Sequence, residues 1–302
     1  MGKIKLTFAV VISVIVLLIY TYITFMGLDY LNGGNLLLPT VLAIGFFILV
    51  AACIVIMCIS KATRWHRIGI IGQVFFGVVI LAAFIASSIP FTNFMRVVHD
   101  KSDIAGKVQE ACNSAISVDS AYANYVDNRI ANYKEELSLI SRGKNINPTR
   151  YQECLGKASG NNDEARIEKL AKSLHNKLLP ESTEKIVKER HSWLENAKNA
   201  NVWNPSEPSN INKIDEQVNG WLSNYKVLSS VSYQGENASP FEYERFSSSL
   251  STLTALYSTF KKPSFEAFII AILCFIIMLL PYFITKKSLA SASSGKEGPI
   301  FE

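Results

Sequence analysis

Few side chains in this 302-residue sequence are of types and spacings that do chemistry. Of the five cysteines, only Cys112 and Cys154 lie outside strongly apolar stretches. In an oxidising compartment they could join in one disulfide; the alternative is two small buried residues that never meet. His99, His175 and His191 do not pair at metal-ligand spacing, and the sequence has no H-E-x-x-H or C-x-x-C. No metal and no cofactor is therefore expected. Nucleophile-elbow and phosphate-loop motifs are also absent. The Asp100/Asp103 and Glu135/Glu136 pairs read as solvated helix faces rather than acid–base pairs. With no catalytic residue to name, the chain is expected not to be an enzyme. Two residues stand out as contacts. Trp203 lies in the loop NVWNPSEPSN, where an aromatic ring suits a partner contact or an anchor for the loop itself. Gln73 is the most polar side chain well inside an apolar stretch, suited to an intramembrane polar contact with a neighbouring helix. Asn237-Ala-Ser matches a glycosylation acceptor, a match expected by chance in an Asn-rich sequence.

The elements around these residues are dominated by four apolar blocks: residues 6–26, 36–60, 68–89 and 267–285. None contains Asp, Glu, Lys, Arg or His. At about 1.5 Å per residue each is long enough for a hydrocarbon core of roughly 30 Å, so four transmembrane spans are expected. The first block follows Lys3 and Lys5 like a signal peptide. Its apolar core is too long for one and no Ala-x-Ala pattern follows, so it reads as an uncleaved span.

Lys and Arg near the span ends set the orientation. Lys3, Lys5, Lys61, Arg64, Arg67, Lys286, Lys287 and Lys296 all fall on one side of a four-span chain. The loop 27–35 carries only Asp29. Both termini, including the tail 286–302, are thus expected in the cytoplasm, and residues 90–264 outside it. The formal charge of +5 has the same origin, because residues 90–266 hold 22 basic and 22 acidic side chains. It is an orientation signal and not a nucleic-acid surface.

The outer region reads as helix throughout. Apolar or small residues from Ile104 to Ile140 recur at heptad steps, with a stutter near Tyr122–Ile130. One long helix over 103–142 is expected, extending the third span as a stalk. Asn147-Pro148 should cap a short helix to Leu155. Further helices are expected over 163–179, 181–199 and from Ile211 to Leu228. A last one, capped by Ser239-Pro240, should carry Phe246, Leu250, Leu253, Tyr257 and Phe260 on one face. Trp193 and Trp221 fall on helix stripes and read as core.

The expected architecture is all-α: spans within residues 1–89, a helical-bundle or coiled-coil domain over 90–264 inserted between spans 3 and 4, and a fourth span at 265–285. This layout resembles that of tetraspanins. Their Cys-Cys-Gly motif does not occur here, so no functional residue is carried over. The cytoplasmic parts are too short for a catalytic domain. The expected function is a non-enzymatic membrane protein whose outer domain binds a partner or ligand, as sensor, scaffold or assembly subunit. Its expected partners are the lipid bilayer and either further copies of itself or another membrane or extracytoplasmic protein, with a bacterial inner membrane as location. The runner-up is an oligomeric channel or transporter subunit with Gln73 lining the path.

Overall fold

The structure is a computed structural model, described here for residues 2–62, 66–157, 162–199, 201–250 and 265–286. It is helical, with no strand among the described residues. Among the described residues ten helices have assigned bounds, in chain order: α1 (Gly2–Leu31), α2 (Leu37–Ala62), α3 (His66–His99), α4 (Lys101–Arg142), α5 (Pro148–Leu155), α6 (Asp163–Leu178), α7 (Glu181–Ala197), α8 (Glu207–Ser229), α9 (Phe265–Met278) and α10 (Leu280–Ile284). They fall into two compact units. The first comprises residues 1–103, 201–210 and 252–302; the second comprises 104–200 and 211–251.

The first unit contains three helices long and apolar enough to cross a membrane, at Thr7–Leu31, Leu37–Ala62 and Gly69–His99. Large apolar side chains such as Ile48, Val55, Phe75 and Val78 are exposed along them, which water disfavours and lipid does not. Inside, Tyr20 stacks on Phe91 with ring centroids 4.6 Å apart, and Phe84 stacks on Phe275 at 4.4 Å. Leu17, Ile54, Met57, Ile80 and Met278 complete this core. Gly27 lets α1 and α3 touch backbone to backbone: a Cβ there would lie 1.8 Å from the Pro90 carbonyl oxygen. Polar atoms are paired across helices, with Tyr20 and Ser87 hydroxyls 3.1 Å apart and Ser13 donating to the Met278 carbonyl at 2.6 Å.

The fourth apolar block is broken near its proline. It is not one helix over 267–285: α9 ends at Met278 and α10 follows after Leu279. Pro281 explains the break, because it has no N–H to donate back to Ile277. Lys61 of α2 fastens α10, donating to the Tyr282 carbonyl at 2.7 Å with its ammonium 4.6 Å above the Tyr282 ring. The third block also differs, since α3 runs through Pro90 to His99 and a turn at Asp100 separates it from α4. Trp65 and the tail from Lys287 lie outside the described residues.

The second unit is built on α4, whose 42 residues span about 63 Å. Its buried stripe follows the heptad seam with two exchanges: Asp119 and Arg129 are buried, while their neighbours Val118 and Ile130 are only partly so. The core is aromatic, with Tyr122, Tyr133, Tyr151 and Tyr225 buried beside Leu137, Leu174 and Leu178. Asn147 caps α5 as expected, its Oδ1 accepting the Arg150 amide at 3.1 Å. Trp193 and Trp221 meet edge to face, with centroids 6.3 Å apart.

The helix expected from Ser239 does not begin there; among the described residues helix resumes only at Leu250. Residues 231–248 carry no helix, and 251–264 lie outside the described residues. Side chains of α8 take the place of helical partners. Asn219 Oδ1 accepts the Phe246 amide at 3.0 Å while its Nδ2 donates to the Phe246 carbonyl at 2.8 Å. Ser229 Oγ accepts the Phe241 amide, and Asp215 accepts both the amide and the hydroxyl of Ser248. These bonds satisfy backbone groups without a helix, so local helix propensity is overruled.

Candidate functional site

Two polar clusters lie in the second unit. The first forms where α4, α7 and α8 meet. Asp119 Oδ1 accepts the Tyr225 hydroxyl at 2.5 Å, and Oδ2 lies 3.0 Å from His191 Nε2. The Tyr225 ring stacks on Tyr122 at 3.9 Å, and Tyr122 donates to the Leu178 carbonyl at 2.8 Å. The Arg190 guanidinium lies 4.7 Å from the Trp221 ring centroid and 5.8 Å from that of Tyr225. Burial pushes the Tyr225 hydroxyl well above the ordinary phenol range, and donation to Asp119 adds to the effect. Burial does the same to Tyr122. A carboxylate that orients a half-exposed imidazole is a component of acid–base sites. Among the described residues, however, no Ser, Thr or Cys is hydrogen-bonded to His191. The cluster therefore fixes three helices to one another and leaves one edge of the imidazole open to solvent.

The second cluster centres on Arg129. Its Nε meets Glu236 Oε1 at 2.5 Å, and its terminal nitrogens reach Glu236 Oε2 at 3.0 Å, the Ser229 carbonyl at 2.6 Å, the Tyr125 hydroxyl at 2.9 Å and the Val231 carbonyl. Pairing with Glu236 raises the Arg129 pKa further. Glu236 Oε2 also accepts the Tyr233 amide. The loop 231–237 is thus gripped by a planar fork with matched acceptors. Against it lies α5, and between them opens a polar cleft of about 530 Å³. Asn147, Thr149, Arg150, Glu153 and Cys154 line one side, and residues 234–237 the other. Burial pushes the Cys154 thiol up, which lowers its reactivity.

The residues singled out from sequence are dispersed. Of the two readings offered for Cys112 and Cys154, the structure has them apart, with no disulfide between them. Cys154 sits beneath Gly235 beside Ile140 of α4, whereas Cys112 is 28 residues earlier on that helix, about 42 Å along its axis. No disulfide spans such a distance. Gln73 is engaged within the first unit, accepting from the Tyr282 hydroxyl at 3.0 Å and donating to the Gly69 carbonyl at 3.1 Å.

Trp203 belongs to the first unit. Its ring meets Phe94 edge to face at 4.9 Å, and its carbonyl accepts the Tyr22 hydroxyl at 2.8 Å. The adjacent Val202 carbonyl accepts from Tyr30 at 3.3 Å. A Cβ on Gly34 would lie 2.3 Å from the Ser209 amide, so the loop between α1 and α2 and the start of α8 are in backbone contact. Here Asp29 is fully buried, and neither carboxylate oxygen has a hydrogen-bond partner among the described residues. Glu207 is buried too, and burial pushes its carboxyl above the usual range.

Sequence reasoning missed Asp119, Arg129 and Glu236. The only signal for Asp119 and Arg129 was their charge beside an otherwise apolar heptad seam, and a charge there also suits a solvated face; Glu236, in a loop, gave none. No protein-family model, curated protein or solved structure matches the chain.

Proposed function

We propose that the chain is a non-enzymatic integral membrane protein with four spans, whose helical domain over residues 90–264 faces the periplasm or cell exterior and binds a partner or ligand. It would act as a sensor, scaffold or assembly subunit, with both termini cytoplasmic. Three apolar helices with exposed apolar faces support the membrane setting. In a four-span chain, α9 and α10 together form the fourth crossing. The distribution of Lys and Arg supports the orientation.

One observation carries the binding role: the polar cleft between α5 and the loop 234–237. Its two walls are separately braced, by the Asn147 cap on α5 and by the Arg129–Glu236 pair on the loop. A concave site with prearranged polar groups binds at a smaller ordering cost than a mobile one. The channel alternative gains nothing from Gln73, whose amide is occupied by Tyr282 and Gly69.

The test is site-specific photocrosslinking in native membranes with a crosslinker in place of Thr149. A discrete adduct that disappears in Arg150→Glu supports binding at the cleft. A protein that purifies as a monomer, with no adduct and no copurifying partner or ligand, overturns it.

A further inference from the structure

We infer that the segment Asn201–Asn210 is an interfacial lipid anchor, seated in the headgroup and glycerol layer of the bilayer with Trp203 as its wedge; this rests on the membrane setting proposed above. In sequence the segment lies between α7 and α8, far from any apolar block. In space it packs with α1 and α3, through the Tyr22, Tyr30, Phe94 and Gly34 contacts already described.

These contacts fix its depth. Tyr22 is four residues inside the end of the first apolar block at Met26, or about 6 Å inward. Phe94 is five residues beyond the end of the third block at Ile89, or about 7.5 Å outward. Trp203 meets Tyr22 through its carbonyl and Phe94 through its indole, so the residue lies at the level where the apolar blocks give way to polar side chains. Indoles prefer that level, because the ring favours the acyl boundary and its N–H favours the wet headgroups.

The outward surface agrees. Trp203 is 41% exposed and Tyr22 43%, and the nearby apolar residues Leu36 and Leu37 are exposed as well. Several backbone donors in the segment are met internally, as suits a water-poor layer. Asn201 Oδ1 accepts the Trp203 amide, Asn204 Oδ1 accepts the Ser206 amide, and the Asn201 and Asn204 carbonyls accept the Asn204 and Glu207 amides. The segment has no Lys or Arg, and its one acid, Glu207, is buried. Attraction to anionic headgroups therefore plays no part, and zwitterionic lipid suffices.

The full chain in phosphatidylcholine nanodiscs tests this. A benzophenone amino acid replaces Trp203 and, in separate proteins, Ile48 of α2 and Ile146 of the α4–α5 turn; these two reference residues are 60% and 90% exposed. Mass spectrometry then reads the adducts after irradiation. The expected result is phosphatidylcholine adducts at 203 and 48 in comparable yield and none at 146. An adduct at 48 without one at 203, or a protein–protein adduct at 203 in place of lipid, overturns the anchor while leaving the membrane setting intact. No lipid adduct at 48 overturns the membrane setting itself. A second measurement avoids the unnatural residue. Dibrominated phosphatidylcholine should quench a smaller share of the tryptophan fluorescence in Trp203→Phe than in the unaltered protein, and equal shares overturn the anchor.

Discussion

Arg129 on α4 and Glu236 in the loop after α8 form a two-point ion pair, with both side chains almost wholly withdrawn from water. The pair spans 107 positions of sequence, and the same guanidinium also holds the carbonyls of Ser229 and Val231. Arg129→Met strands the Glu236 carboxylate and should cost about 3–5 kcal/mol. The double variant Arg129→Met/Glu236→Met should recover a large part of that loss. Equilibrium unfolding of the two proteins measures the difference. A double variant no more stable than Arg129→Met would mean that the loop carbonyls, and not the carboxylate, dominate.

Tyr225→Phe keeps the stack on Tyr122 and removes the donor to Asp119 Oδ1. Leaving a buried carboxylate oxygen short of a partner should cost about 1–3 kcal/mol. Tyr122→Phe removes a donor to a neutral carbonyl and should cost about 1 kcal/mol. The order of the two losses in denaturant titrations is the readout, and equal losses would contradict a charged role for Asp119.

Glu207 provides a pH signature. Its carboxyl is held above the ordinary value of 4.5 by burial, so the folded chain retains the proton more strongly than the unfolded one. The neutral form is therefore fully compatible with folding below 4.5, and stability falls as pH rises through the folded value. Glu207→Gln should raise Tm at neutral pH, and the gain should close below 4.5. A gain of the same size at both pH values would show that charge is not its cause.

Asp29 is fully enclosed and, among the described residues, has no donor on either oxygen. Asp29→Asn removes an ionisable group from that enclosure and should raise Tm in detergent. A fall of several degrees would show that the carboxyl serves a partner or ion in the working protein.

Cys112 and Cys154 should both react with a maleimide after denaturation without reductant. The labelled mass should not change when reductant is added first. A deficit of two labels, restored by reductant, would establish a bridge between chains or an alternative fold.

The extent to which the sequence was legible followed from how local the controlling physics was. The apolar blocks, the cap at Asn147-Pro148 and the limits of α4 to α7 were readable because solvation and capping act over a few residues. The segment 231–248 was not, because its conformation is decided by Asn219, Asp215 and Ser229 on another element. Asp119 and Arg129 were likewise hidden, since each is buried only by virtue of a distant partner. Trp203 was recognisable as a loop aromatic, but what it would touch was not.

The course of the chain has a practical consequence. It leaves the first unit after Asp103, comes back for the decapeptide 201–210, departs again and returns after Ser251. Neither unit is a continuous stretch, so no single pair of cuts frees a self-contained second unit. A fragment spanning 104–251 would take the decapeptide away from Tyr22, Tyr30 and Phe94. The same course constrains biogenesis: α1 leaves the ribosome about 170 residues and α3 about a hundred residues before their covering segment, and both wait for it with that face open.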